Sequence, residues 1–205
     1  MAPRQYVMDR RAAASAATRQ RVIEAAVALH AERGAAATRW SDIAERADVA
    51  LGTVYRYFPG YDELIPACTG LGLATLHPPT PEIFGGATSV GGRITALVRE
   101  SFSFWERAYP WMQHRECDRR AIPAMEAFHR RQEAGIDGLV RAALGPLARR
   151  RQVVDATVVL SGFSSWAAFH DRGVPTAEAA ALMTEFLGRW LGEPAMATRV
   201  ADNGA

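Results

Sequence analysis

Between Thr38 and Leu64 the chain reads TRWSDIAERADVALGTVYRYFPGYDEL, and the side chains in it suit recognition rather than catalysis. Ala50, Leu51 and Gly52 are small or apolar, so a helix beginning there can bring its backbone close to the surface it faces. Thr53 can donate to a phosphate or a base edge, and Tyr55 and Tyr57 offer phenol O–H groups to phosphate oxygens. Arg56 suits a guanine edge or a phosphate. Thr38, Arg39 and Ser41, at the start of the preceding segment, are further candidates for DNA contact. Val54 and Phe58 fall on the opposite side and should anchor the helix. Two short helices one turn apart, the second built this way, form the pattern of a helix-turn-helix whose second helix enters a DNA major groove.

Other chemistry finds less support. His114 and Cys117 stand at i, i+3, but two ligands without others make a weak metal site. The sequence has no glycine-rich phosphate loop and no arguable Ser–His–Asp set, so neither a catalytic residue nor a metal or other cofactor is expected. A second concentration of side chains is aromatic. Phe102, Trp105, Tyr109, Trp111 and Met112 lie close together, with His114 as a polar neighbour. Phe128, Phe163 and Trp166 can face them, which would suit a small apolar or aromatic ligand. The same stripe at helical spacing also suits an ordinary core.

The elements that must position these residues read as helices throughout, about nine of them, with no strand. Thr18 is a candidate N-cap for a first helix running to Arg33, with Val22, Ala25, Ala26 and Leu29 inward and Gly34 closing it. Helix two covers about Ser41 to Ala47, with Ile43, Ala44 and Ala47 inward; Asp48–Val49 is the turn, and helix three covers about Leu51 to Phe58. Pro59–Gly60 ends it, and Asp62 opens a fourth helix with Leu64 and Ile65 in the core. Residues 77–92 hold three Pro and four Gly and read as a loop. A fifth helix spans Arg93 to Tyr109, and Pro110 should start a short new one. A long helix runs from Ala121 to Leu144. Val153 to His170 reads as one helix apolar nearly all round, and Thr176 to Leu191 repeats Ala179, Leu182, Met183, Phe186, Leu187, Trp190 and Leu191 at helical spacing.

Charge is uneven along the 205 residues. Residues 1–61 carry nine Arg against six acids, and the remainder fifteen Arg against sixteen acids. The first 21 residues alone carry five Arg and one Asp, which fits a polyanionic partner as well as a solvated tail. All 24 basic residues are Arg, so any phosphate contact must come from Arg, hydroxyls or backbone N–H. Apolar residues make up 49%, which excludes a disordered chain. No apolar run resembles a membrane span and the start lacks an apolar signal region; with Cys68 and Cys117 in no redox or metal spacing, a reducing cytoplasm is expected.

The segment resembles the DNA-binding domain of the TetR family of transcriptional regulators. Thr38, Asp42, Ile43, Ala44, Ala47, Val49, Gly52, Thr53, Val54, Tyr55, Tyr57, Phe58 and Leu64 match that family's pattern in register. Three positions depart from it. Asp48 replaces the turn Gly, and Asp tolerates such backbone better than most residues. Ala50 replaces a Ser that often caps helix three, at a cost of about 1 kcal/mol. Tyr61 stands where the family has a Lys that contacts a phosphate, so Tyr61 offers one neutral hydrogen bond instead, and the Arg-rich start is expected to supply the charge.

The resemblance implies a basic flexible arm at 1–17, a DNA-binding domain at 18–61, a helical ligand-binding and dimerisation domain at 62–192 and a flexible tail at 193–205. It implies a homodimeric repressor, paired through residues 153–170 and 176–191, on a palindromic operator that a small effector releases. The wide apolar faces of those last helices support the dimer independently. A different reading is a helical small-molecule-binding protein or enzyme that has lost its DNA function.

Overall fold

The computed structural model describes residues 3–192, and every regular element among them is helical. The expected tail at 193–205 lies outside the described residues. The chain divides into two compact units. One holds the chain up to His77 together with Ala108–Arg131; the other holds Pro78–Arg107 and the chain from Gln132 onward. This division does not follow the boundary expected near residue 61: the fourth helix and the segment around residues 108–131 belong with the helix-turn-helix.

In the first unit, α1 runs from Pro3 to Arg33, 31 residues and so about 46 Å long. The expected start at Thr18, after a flexible arm at 1–17, is therefore corrected. Ala12, Ala13, Ala14, Ala16 and Ala17 have the highest intrinsic helix propensity and carry the helix through a fully exposed stretch. Thr18 is no N-cap; its hydroxyl donates back to the Ala14 carbonyl at 2.9 Å, inside the helix. Gly34 closes α1 as expected, at φ +84°.

The next helices are α2 (Trp40–Arg46), α3 (Leu51–Tyr57) and α4 (Tyr61–Leu76). Val22, Ala26 and Leu29 from α1 meet Ile43, Ala44, Ala47, Val54, Phe58 and Leu64 in one buried cluster. Asp48 takes φ +52° in the turn, the left-handed conformation its place demanded. Gly60 precedes α4, and its N–H donates to Glu63 Oε2 at 3.0 Å.

The unit is completed by the end of α5 (Val90–Met112), by α6 (Arg115–Ala121) and by the start of α7 (Pro123–Leu144). Pro110 lies inside α5 rather than opening a new helix. Asp118 of α6 is 4% exposed, and its carboxylate accepts the backbone N–H groups of Ala35 and Ala36 at 3.0 and 2.8 Å. Those two groups follow the end of α1 and have no helical partner, so Asp118 satisfies them from 82 and 83 residues away. Trp111 adds a second tie, its indole N–H donating to the Val27 carbonyl at 3.1 Å.

In the second unit, a 3₁₀ turn at Pro81–Phe84 interrupts the expected loop, and α5 begins at Val90. The helices α8 (Arg151–Ser161), α9 (Phe163–His170) and α10 (Thr176–Leu191) follow. The single helix expected over residues 153–170 is thus two, broken at Gly162. Gly162 is extended (φ −78°, ψ 170°), and a Cβ there would stand 3.0 Å from the Val158 carbonyl oxygen. The Trp105 indole N–H donates to the Ser161 carbonyl at 3.0 Å and the Ser165 hydroxyl to the Val159 carbonyl at 2.9 Å, so two carbonyls of the last turn of α8 find partners despite the break. Burial is also less complete than expected there, since Val159 is 64% exposed. On α10, Ala179, Met183 and Leu187 are buried, while Leu182, Phe186 and Trp190 are exposed.

Candidate nucleic-acid interface

The face of α3 is assembled from residues whose backs are locked. Val54 and Phe58 are fully buried, which fixes the rotation of the helix about its own axis. The opposite side is therefore presented outward: Ala50, Leu51, Gly52, Tyr55 and Arg56 are exposed, and Thr53 and Tyr57 half-buried. Among the described residues, no atom apart from its chain neighbours and its own helix backbone lies within 4 Å of the position a Gly52 Cβ would take, so the backbone there is approachable. Ala50 makes no side-chain cap, as its lack of a polar group requires.

Three aromatic rings form the floor of this face. Trp40, at the start of α2, stacks on Tyr55 with ring centroids 5.3 Å apart and planes at 29°. On another side it meets Tyr61, also at 5.3 Å. Tyr61 is half-buried, and burial, then the Asp118 charge, then Tyr55 raise the pKa of its phenol, so it remains a neutral donor. Trp40 went unnoticed among the candidate residues. The available signal was an aromatic residue at the opening of helix two, beside tyrosines at positions 55 and 61.

Tyr57 and Arg56 close the C-terminal end of α3. Tyr57 Oη and Ser15 Oγ are hydrogen-bonded at 2.8 Å, and the Arg56 guanidinium lies over the Tyr57 ring at 5.0 Å. The Ser15 bond first, then Arg56, draw the Tyr57 pKa down. Arg39 and Ser41 are exposed at the start of α2; Ser41 Oγ donates to Asp42 at 3.3 Å, and Asp42 in turn pairs with Arg33 at 3.0 Å. Thr38 is the exception. It is 5% exposed and its hydroxyl donates to the Gly34 carbonyl at 2.7 Å, so it is a scaffold position rather than a contact. Its place in the pattern is explained by that bond, which ties the start of α2 to the end of α1.

The aromatic residues read as ligand-binding divide between the two units. In the second, Phe102, Trp105 and Trp166 are buried. The Phe163 ring stands 6.0 Å from Trp105 and 5.8 Å from Trp166, so these three make a continuous aromatic run, while Phe102 packs on Phe169 at 6.4 Å. Trp166 donates to Thr176 Oγ1, which donates to Glu106 at 2.7 Å. Tyr109, Trp111, Met112, His114 and Phe128 belong to the first unit. There Trp111 is committed to Val27, and Phe128 lies beside His129.

The long α1 and the two short helices α2 and α3, packed on one buried core with an exposed face on α3, define a helix-turn-helix unit. Residues 22–68 match the family model described as bacterial regulatory proteins, tetR family. Over that segment, about a quarter of its length, the chain is similar to the TetR family. It is 42% identical over 52 residues to the HTH-type transcriptional repressor KstR of Mycolicibacterium smegmatis, covering 25% of this chain and 26% of that one. The KstR repressors of Rhodococcus jostii (47% over 47 residues, 23% of this chain and 22% of that one) and Mycobacterium tuberculosis (40% over 52 residues, 25% and 24%) are similar over the same kind of span. The chain thus spans about a quarter of the length of these curated relatives. The fold extends further: a Clostridium perfringens protein assigned as a fatty acid metabolism regulator superposes with a TM-score of 0.60 at 16% identity, over 82% of this chain and 96% of that one. No helix among the described residues is long and apolar enough to cross a membrane.

Proposed function

We propose that this chain is a homodimeric, sequence-specific DNA-binding repressor, released from a palindromic operator by a small apolar or aromatic effector. The observation that carries the reading is the outward edge of α3, with open space over Gly52 and Tyr55 propped by Trp40 above a fully buried Val54 and Phe58. Arg39, Ser41, Leu51, Thr53, Arg56 and Tyr61 complete the contact set. The relatives' names as repressors support the direction of regulation.

A single helix-turn-helix reads one half-site, so a palindrome requires a twofold pair. Val159 on α8 and Leu182, Phe186 and Trp190 on α10 are 64, 48, 56 and 47% exposed. A second copy of α8–α10 is the covering these large apolar side chains suit. The Trp105–Phe163–Trp166 run supports an apolar or aromatic effector. An effector that favours one spacing of the paired recognition helices over another shifts the population away from the operator-bound state.

Footprinting on genomic fragments, followed by a screen for compounds that release the protein, tests this. A protected palindrome whose affinity falls with salt is expected. Tyr55→Ala should weaken operator binding while the dimer persists. Equal affinity for the footprinted fragment and a random duplex would refute the reading.

A further inference from the structure

The recognition helix has a second helix attached to its end. Residues 8–17 of α1 are all exposed, and this stretch, MDRRAAASAA, has no apolar face to bury. A helix polar or alanine-rich all round stands on propensity, or finds its partner outside the fold. Two contacts fix where it stands. Ser15 Oγ is hydrogen-bonded to Tyr57 Oη, the last residue of α3, at 2.8 Å. One turn later the Arg19 guanidinium lies over the Phe58 ring at 4.9 Å. Residues four apart share a helix face, so Arg11, Ser15 and Arg19 form one row, and the row leads from the end of α3 toward the start of α1. Arg11 is exposed, about 6 Å of helix rise beyond Ser15.

We propose that the N-terminal turns of α1 are a second DNA-contacting element. In it Arg11 pairs with a backbone phosphate flanking the bases read by α3, and the Ser15–Tyr57 hydrogen bond sets its register. The partner is the duplex phosphate backbone, whose recognition by a guanidinium is charge-assisted and independent of sequence. The proposal rests on the DNA-binding reading above.

Fluorescence anisotropy of the full chain on its footprinted fragment, over a salt series, tests it with three variants. Arg11→Gln should lower the slope of log affinity against log salt by about 0.9, the loss of one phosphate contact, which amounts to roughly eightfold in affinity at 0.1 M salt. The loss should be the same on operator and random duplex, since a phosphate contact carries no base information. Arg151→Gln removes an exposed charge from the other unit and should leave the slope unchanged. Ser15→Ala should shrink the effect of Arg11→Gln, because the row is then no longer held to Tyr57. An unchanged slope and affinity for Arg11→Gln, with circular dichroism like the wild type, overturns the second element while leaving the α3 reading intact. Failure of the wild type to prefer its operator would overturn the reading beneath it instead.

Discussion

Asp118 satisfies two backbone donors of the first unit, and its replacement gives a worked expectation. Its two carboxylate oxygens accept Ala35 N–H at 3.0 Å and Ala36 N–H at 2.8 Å, where Ala35 is 1% exposed. A hydrogen bond to a charged group contributes about 1.5–3 kcal/mol, and a buried N–H left without an acceptor costs about 1–3 kcal/mol. Asp118→Ala removes both acceptors, one from a buried and one from a part-buried donor. The expected loss is about 3–5 kcal/mol, a large fraction of an ordinary domain's stability. Asp118→Asn keeps one acceptor oxygen and turns an NH₂ group toward the other N–H, so about half that loss is expected. Urea unfolding followed by tryptophan fluorescence measures both, and Trp40 and Trp111 both report from this unit. Operator affinity should fall with stability, because the N–H groups lie just before α2. A change under about 1 kcal/mol for Asp118→Ala would refute the reasoning, since it would mean that water replaces the carboxylate at no cost.

Further expectations concern pH, backbone and surface. His30 is 7% exposed; burial pushes its pKa from 6.5 down to about 4, against the opposing pull of Asp118. The unfolded chain therefore binds this proton first. Its contribution is fully present above pH 6.5 and lost as pH falls toward 4, about 3 kcal/mol in all. Denaturation midpoints at pH 7.5 and pH 5 should differ accordingly, and less so in His30→Leu; no pH dependence in the wild type would contradict this. Gly34→Ala should destabilise by more than about 1 kcal/mol in thermal melts, because φ is +84° and the new Cβ would stand 2.9 Å from the His114 Cβ. Phe186→Asp should give a folded monomer in sedimentation velocity, since the side chain is 56% exposed in one chain; an unaltered dimer would place the interface elsewhere.

Much of the fold was legible because its signals are local. The inward residues of α1, α2 and α3 follow from period alone, and Asp48 followed from the turn's need for a left-handed residue. What was missed has different causes. The start of α1 was sought at a cap and an apolar stripe, whereas Ala12–Ala17 need neither. The break at Gly162 sits in an apolar run whose periodicity cannot distinguish one buried helix from two. For the candidate site, Thr38 matched a pattern for a structural reason, its bond to Gly34, rather than for a contact. The seven-position repeat of α10 gave its apolar width but not which half is core, because that depends on what packs against it. Asp118 carries no local mark at all; its partners are 82 and 83 residues away.

Trp40, stacked on Tyr55 and tilted against Tyr61, also gives the protein an intrinsic optical probe. Its indole is held against a tyrosine of the recognition helix, so any ligand that engages the Tyr55 hydroxyl acts on the ring that covers the indole. Occupancy of that helix should therefore alter the emission of Trp40. A chain with Phe at the other four tryptophans would report its own docking without a dye.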